Sequence, residues 1–345
     1  MEQFGRKFVL TVAALLLLPT IATGQKAVQQ ISAEAVRLKG VVSLLNLPEK
    51  EAAAHLEQIA KLEEAIQKGR FYLGLFLLQR IEETLLTDQY RFTKSEIEKQ
   101  GQEAFEREWQ HLGKEVAASN TPRPLPTSPQ LPTAIKAIAE RSQTQIQPYY
   151  QSGWLYGLNT TIGNGLYYLG LTKANYDFAA FCQSLRFNNP KTALRLRSLE
   201  PELNKLEAEI LQAYKQADVA KQQASYNRIN STLKMASELN KEKRFSGALL
   251  QYLQVSLLFW TISEPPVEAQ PLDRLKKQVE AMRAQLSSGK ADHSIGLLFL
   301  EMAQSRIETT ESQSDHEARM EAHRSAAIIL NRVLPRYLNI TEKKQ

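Results

Sequence analysis

Residues 49–67 read EKEAAAHLEQIAKLEEAIQ, and this stretch decides the fold class. Its apolar residues recur every three or four positions, which is the period of an amphipathic helix. Pro48 stands just before it, at a place where proline commonly begins a helix. Lys68-Gly69-Arg70 then turns the chain into a second apolar run from Phe71 to about Asp88. The sequence therefore predicts two helices joined as a hairpin.

The same period extends over most of the chain, and we find no convincing alternation of a β-strand. Further helices are predicted from about Lys26 to Asn46, Thr93 to Ser119, Thr133 onward, Glu202 to Lys243, and Ser314 toward Leu338. Two of them open with a capping box, Thr93-Lys-Ser-Glu96 and Ser314-Asp-His-Glu317. The predicted fold class is all-α, either a helical bundle or a set of helical hairpins.

The composition agrees with a helical globular protein. The 345 residues include only 15 glycines and 14 prolines, too few for a turn-rich all-β sandwich or barrel. Hydrophobic residues make up 43% and charged residues 23%, which excludes global disorder. A single cysteine excludes an internal disulfide framework and a zinc ribbon. The net charge of +6 arises from Lys and Arg interleaved with Glu, so a nucleic-acid partner is not expected.

Residues 1–24 have the pattern of a secretory signal peptide. Arg6 and Lys7 precede the apolar run Phe8–Leu18, and Ala22-Thr-Gly24 supplies small residues for cleavage after Gly24. The alternative is an uncleaved anchor, but the run is short for a bilayer span. No later stretch approaches 18 apolar residues, so no transmembrane segment is expected after cleavage.

The predicted location is therefore periplasmic or extracellular. The lone Cys182 lies in an apolar run and has no pairing partner, which favours a bacterial periplasm over an animal secretory pathway. The sequons at Asn159, Asn230 and Asn339 keep a eukaryotic source open.

Two proline-rich segments divide the chain. The predicted organisation is a signal peptide at 1–24, N-terminal helical hairpins at 25–119, a linker at 120–132, a central helical region at 133–262, a second linker at 263–271, and a C-terminal hairpin and tail at 272–345. Clustered prolines are typical of extended linkers or exposed loops, so 120–132 is the strongest boundary.

One spacing of aromatic, small and bulky residues recurs along the chain. The copies are Phe71-Gly74-Leu78-Ile81, Phe245-Ala248-Tyr252-Val255, Ile162-Gly165-Leu169-Thr172, and a partial copy, Gly296-Leu300-Ala303. A small residue at this place lets a second helix cross its partner closely, and the bulky residues fill the groove between the two.

This spacing resembles the second half of a tetratricopeptide repeat. The first half is visible as Tyr149-Gly153-Tyr156 and as Met235-Ala236-Leu239. The copies depart from the family because they do not recur at its roughly 34-residue period and lack its closing proline. The resemblance implies helical hairpins with other helices between them and a concave binding surface. An ordinary bundle with small-plus-bulky packing remains the alternative.

No motif predicts a catalytic centre, a metal site or a cofactor. Glu108-Trp-Gln-His111 is a single ExxH without the second copy that a di-iron bundle needs, so a solvated helix face is favoured. His316 and His323 lie seven residues apart, but Ser314–Glu317 is already explained as a cap. Cys182 has no nearby histidine, so it is not expected to be a nucleophile.

The most unusual segment is the aromatic-rich stretch 149–178. It holds Tyr149, Tyr150, Trp154, Tyr156, Tyr167, Tyr168, Tyr176 and Phe178. Tyrosine and tryptophan are enriched at interfaces, so a binding groove for a peptide, glycan or hydrophobic ligand is one interpretation and core packing is the other.

The candidate binding residues are Tyr149, Tyr150, Trp154 and Tyr168. The repeat pattern places Tyr156 and Leu169 inward and leaves Tyr150 and Trp154 as exposed contacts.

These features favour an exported, non-catalytic binding or scaffolding protein with protein partners in the cell envelope. The alternatives are an envelope enzyme with dispersed acidic residues and a carrier of a small apolar ligand.

Overall fold

The computed structural model describes residues 25–45, 47–93, 95–119, 131–187, 191–216, 219–263 and 270–343. Within these ranges the chain is helical and forms no β-strand beyond an isolated bridge between Thr192 and Ala291. The predicted all-α class is confirmed. The predicted signal peptide at 1–24 and most of both predicted linkers lie outside the described residues.

The helices of the N-terminal half are α1 (Gln25–Leu44), α2 (Glu49–Gln67), α3 (Phe71–Thr93), α4 (Ser95–Gln100), α5 (Gln102–Ser119), α6 (Thr133–Asn159) and α7 (Ile162–Ser184). Those of the C-terminal half are α8 (Glu200–Gln216), α9 (Val219–Lys241), α10 (Phe245–Ser263), α11 (Leu272–Ser287), α12 (Ser294–Ser312), α13 (His316–Ile328) and α14 (Leu334–Lys343). A π-helical segment, Ile329–Val333, joins the last two.

Helix α2 and the start of α6 lie where the sequence predicts them, and other boundaries differ. Thr93 is the last residue of α3 and α4 begins at Ser95, and the predicted helix to Ser119 is split at Gly101, whose φ is +85°. Glycine adopts this left-handed backbone without strain, which makes it a natural break between α4 and α5.

The predicted helix from Glu202 to Lys243 is two helices, α8 and α9. Asp315, rather than Ser314, caps α13 by accepting a 2.7 Å hydrogen bond from the N–H of Ala318.

The hairpins α2–α3 and α9–α10 share one turn. Gly69 (φ +70°) and Lys243 (φ +61°) occupy equivalent left-handed positions. The residue after each, Arg70 or Arg244, donates a 2.8 Å backbone hydrogen bond to a carbonyl five residues earlier. This pattern closes a helix C-terminus by satisfying its last carbonyls. The two sequence copies that begin at Phe71 and Phe245 therefore correspond to two equivalent hairpins.

Small residues stand at the close helix crossings that the repeat predicts. A Cβ atom on Gly74 would collide with Ile66, one on Gly165 would lie 2.8 Å from the Cα of Gly157, and one on Gly296 would lie 2.8 Å from Leu286. These three neighbours belong to the preceding helix of the same hairpin, and the Cβ atoms on Gly165 and Gly296 would also lie 2.7 Å from Phe105 and 2.6 Å from Tyr337. Ala248, at the matching place in α10, is fully buried. The resemblance to tetratricopeptide repeats itself stays a prediction.

The three helical regions of the sequence share one hydrophobic core. Ile31 of α1, Leu253 of α10 and Leu300 of α12 belong to the same buried cluster. A smaller second core lies between α5, α6 and α7, and its buried members are Tyr90, Phe105, Leu112, Val116, Ile146, Leu166 and Leu169.

Buried carboxylates join distant helices by capping their first turns. Glu140 accepts a 2.7 Å hydrogen bond from the N–H of Gly247 in α10. Asp292 accepts a 2.6 Å hydrogen bond from the N–H of Thr133 at the start of α6. A side-chain oxygen at a helix N-terminus satisfies a backbone N–H group that has no partner within its own helix.

Helix α10 is also long and apolar enough to cross a membrane, with a mean hydropathy of 1.3 over its best window. The expectation that no transmembrane segment follows the leader stays a prediction. Because 61% of the window is buried against neighbouring helices, α10 has the environment of a core helix.

Candidate functional site

The tip of the α6–α7 hairpin carries no charge. Between Arg141 and Lys173 the chain has no Asp, Glu, Lys, Arg or His, although charged residues make up 23% of the whole sequence. The turn is held locally, since the Thr161 side chain accepts a hydrogen bond from the N–H of Asn164 and the Thr160 hydroxyl donates to the Tyr156 carbonyl. The surface of this tip therefore offers aromatic rings, hydroxyls and amides instead of ionic groups.

Two of the four predicted binding residues pack into the second core. The rings of Tyr150 and Trp154 lie 4.6 and 4.4 Å from that of Trp109 in α5. Trp109 donates its indole N–H to the Tyr150 carbonyl, and the Tyr150 hydroxyl donates to the Trp109 carbonyl, both at 3.2 Å. The two predicted contacts are half-buried, so the expectation that they are exposed is wrong. The physical reason is α5, which covers this face of α6.

The other two predicted residues join a tyrosine cluster on a different face. Tyr168 stacks on Tyr156, with ring centres 4.8 Å apart and planes at 14°, and its ring centre lies 6.2 Å from that of Tyr149. Burial raises the pKa of Tyr149, and burial together with the neighbouring Tyr156 raises the pKa of Tyr168. Tyr167 meets Tyr168 edge-on at 5.3 Å.

Tyr156 points outward, which contradicts the inward position expected from the repeat pattern. It is 39% exposed, whereas Leu169 is fully buried as expected. The inward stripe of α6 at this level is formed by Gly153 and Gly157, where a Cβ would collide with Leu169 and with Phe105. Successive positions of a helix are about 100° apart, so Tyr156 lies about 60° from Gly153 and about 100° from Gly157, to one side of the inward stripe.

The exposed tyrosines line a cleft of about 670 Å³, which we call the tyrosine cleft. Its lining comes from the end of α3, from α4, and from the α6–α7 tip, and consists of Arg91, Phe92, Glu98, Tyr156, Thr161, Gly163, Asn164, Tyr167 and Tyr168. Only Tyr168 is among the four residues predicted for binding. Tyr167 lies in the aromatic-rich stretch, so the sequence draws attention to it. Phe92 and Glu98 are far from that stretch in sequence, and nothing near them indicates a binding site.

Aromatic rings in the tyrosine cleft are accessible. Tyr156, Tyr167 and Phe92 are 39%, 41% and 38% exposed. Large aromatic side chains contribute strongly to binding when a partner covers them, because they combine a large apolar area with few rotatable bonds. This arrangement is suited to stacking against a flat or ring-shaped ligand.

Two charges of opposite sign stand in the cleft lining. A Cβ on Gly163 would lie 2.6 Å from Oε1 of Glu98, so this carboxylate rests against the first turn of α7. A helix N-terminus favours an anion there. The Arg91 side chain is 57% exposed, and its guanidinium lies 3.9 Å from Asp88. Most of its N–H donors therefore remain accessible to a ligand.

The residues considered for chemistry occupy structural or solvated positions. Cys182 is buried, and burial, with the nearby Glu82, raises the pKa of its thiol well above the usual value. His111 is 72% exposed and lies 3.8 Å from Glu115. Among the described residues, no group of three or more His, Cys, Asp and Glu side chains is arranged to hold a metal ion.

A buried and a half-buried carboxyl group lie together between α1 and α3. Glu82 is 2% exposed, and burial together with the nearby Glu34 raises its pKa well above the usual value. Arg37 pairs with Glu34 and lies 3.6 Å from Glu82. These charged side chains connect α1 to α3.

Comparison with protein-family models, with curated proteins and with solved structures finds no match to this chain. Its function is therefore inferred from the geometry of the tyrosine cleft and from the sequence.

Proposed function

We propose that this chain is an exported, non-catalytic binding protein that captures a component of the cell envelope in the tyrosine cleft. The observation that carries the proposal is the cleft itself, a concave site with three aromatic rings about two-fifths exposed. Concave sites with aromatic walls and a few polar groups are the usual form of a ligand pocket.

The surroundings of the cleft support the same proposal. Leu155 and Leu158, on the same turns of α6 as Tyr156, are 58% and 44% exposed. Apolar side chains grouped at one tip of a folded chain are typical of an interaction site. Export follows from the predicted leader, and a scaffolding role follows from the resemblance to tetratricopeptide hairpins.

The two alternative functions have less support in the geometry. A carrier of a small apolar ligand needs an apolar cavity, whereas the tyrosine cleft interleaves rings with Thr161, Asn164 and Glu98. An enzyme that uses paired acids at this site needs two carboxylates together, whereas the described lining of the tyrosine cleft holds one, Glu98.

The proposal is tested by immobilising the protein and passing extracts of its own cell envelope over it. We expect the Tyr167→Ala variant to lose a component that the unmodified chain retains. Tyr214→Ala is the matched control, because Tyr214 is 37% exposed on α8 and does not line the cleft. Equal retention by the Tyr167 and Tyr214 variants contradicts the proposal, and so does chemical turnover of the bound component.

A further inference from the structure

We infer that the tyrosine cleft recognises a neutral oligosaccharide; this inference rests on the proposed binding function and names the class of its ligand. The juxtaposition that carries it is a set of exposed tyrosine rings beside planar and hydroxylic polar groups, with no net charge among the lining residues that the structure describes.

The charge of the cleft favours an uncharged ligand. The lining from α6 and α7 belongs to the uncharged segment between Arg141 and Lys173. Among the described residues of α3 and α4, the other side contributes one cation, Arg91, and one anion, Glu98. An anionic ligand would meet the Glu98 carboxylate, and a cationic ligand would meet the Arg91 guanidinium. Like charges brought together in a partly dehydrated cleft repel, so neither charge is favoured over a neutral molecule.

The alternation of rings and polar groups matches the surface of a sugar. A pyranose ring has C–H groups on its faces, which pack on aromatic rings, and hydroxyls on its edge, which donate and accept hydrogen bonds. Tyr156 and Tyr167 supply accessible rings. The Glu98 carboxylate accepts hydrogen bonds, and the forked guanidinium of Arg91 donates several in one plane, as neighbouring hydroxyls require.

Asn164 adds a further acceptor at the rim. Its side-chain N–H donates a 3.2 Å hydrogen bond to the Thr160 hydroxyl, which orients the amide and leaves its carbonyl oxygen for a ligand. A purely apolar occupant, such as a leucine-rich peptide segment or a lipid tail, would cover these polar groups without pairing them. Unpaired polar groups in a dehydrated site are costly, so an occupant rich in hydroxyls is favoured.

The size of the cleft agrees with a short oligosaccharide. Its volume of about 670 Å³ is intermediate among sites that hold small organic ligands. The cleft is open to solvent along its exposed rings, so a longer glycan chain can extend beyond it. The same recognition serves a free oligosaccharide or one displayed on a larger envelope polymer.

The test is isothermal titration calorimetry with the protein purified as the cell produces it. The probes are three neutral hexasaccharides, cellohexaose, maltohexaose and chitohexaose, and one anionic hexasaccharide from hyaluronan. We expect at least one neutral probe to bind and the hyaluronan probe to bind more weakly. Tyr167→Ala should raise the Kd of the best neutral probe about tenfold or more, while Tyr214→Ala should leave it within about twofold.

Three results overturn the glycan inference: no binding of any neutral probe, tighter binding of the hyaluronan probe, or an equal loss of affinity in the two tyrosine variants. Melting curves of both variants show whether a loss of affinity reflects unfolding. A further variant, Tyr167→Phe, keeps the aromatic ring and should retain most of the affinity. If no neutral probe binds but envelope capture still depends on Tyr167, the binding function stands and its ligand is of another class, such as a peptide. If capture is also independent of Tyr167, the proposed function fails as well.

Discussion

The carboxyl group of Glu301 accepts a 2.7 Å hydrogen bond from the backbone N–H of Leu73, although the two residues are 228 positions apart. Glu301 lies on α12 and Leu73 in the first turn of α3, so the bond joins the C-terminal and N-terminal hairpins. Burial raises the pKa of Glu301 to about 8, against the opposing effect of its hydrogen bond to Leu73. Two helices that are far apart in sequence, α3 and α12, therefore share a buried contact that includes a titratable group.

From the raised pKa of Glu301 we predict that the free energy of unfolding falls as the pH rises. The folded-state pKa of about 8 exceeds the ordinary value of 4.5, so the folded state binds more protons than the unfolded state between these values. The free energy of unfolding should then decrease from about pH 4.5 to about pH 8, with a slope on the order of 1 kcal/mol per pH unit from this group. Glu301→Gln should remove that contribution in urea titrations at several pH values. The control Glu280→Gln, at an exposed site of α11, should keep the pH dependence of the unfolding free energy. If both variants show the same pH dependence, Glu301 is not its cause.

The close crossing of α6 and α7 predicts intolerance to side chains at Gly165. A Cβ there meets the backbone of Gly157, which cannot rotate away, so Gly165→Leu should lower the free energy of unfolding by about 1–3 kcal/mol. Gly40→Leu is the control, because Gly40 is also helical but has open space where the side chain would lie. Denaturant midpoints of the two variants measure the difference, and equal midpoints would mean that the helices do not cross closely at Gly165.

The shared hairpin turn predicts opposite effects for two reciprocal substitutions. Lys243 holds a left-handed backbone that glycine adopts without strain, so Lys243→Gly should stabilise the protein by up to about 1 kcal/mol. Gly69→Lys, at the equivalent position, should destabilise it by a similar amount. Thermal melts of both variants test the equivalence of the hairpins, which fails if the two changes have the same sign.

Much of the helical framework could be predicted from the sequence, because apolar periodicity and caps are local signals. The bounds of α2 and the start of α6 followed from the residues at 48–67 and 132–133. The break at Gly101 was missed because the charged residues around it continue a helical pattern on both sides. Lone glycines are tolerated within helices, so the residue type alone did not mark the break.

The tyrosine cleft could be predicted only in part, since its walls come from segments distant in sequence. Phe92 and Glu98 reach it because α3 and α4 pack beside α7, a tertiary contact without a local pattern. Tyr150 and Trp154 fall outside the repeat pattern, and nothing in their own segment indicates that Trp109 covers them. An aromatic-rich segment thus indicates where large rings lie, but not which of them a neighbouring helix buries.

Because some aromatic rings are packed against α5 and others are exposed in the cleft, we predict that substitutions of the first kind affect stability and those of the second kind affect binding. Trp154→Ala removes a half-buried ring that packs on Trp109, so it should lower the free energy of unfolding by about 2–4 kcal/mol. Tyr167→Ala removes an exposed ring and should change it by no more than about 1 kcal/mol, while abolishing envelope capture. Denaturant titration and envelope capture on the same two variants measure both effects. If capture declines only in proportion to lost stability, the rings of the cleft have no separate binding role.

Site-specific photo-crosslinking tests the role of the tyrosine cleft most directly. A benzophenone side chain replaces Phe92, inside the cleft, or Tyr214, exposed on α8, and the protein is irradiated with its own envelope extract. We expect a discrete covalent adduct at position 92 that Tyr167→Ala abolishes, and no such adduct at position 214. Equal adduct yields at the two positions, or an adduct at 92 that persists without Tyr167, would contradict the binding role of the tyrosine cleft.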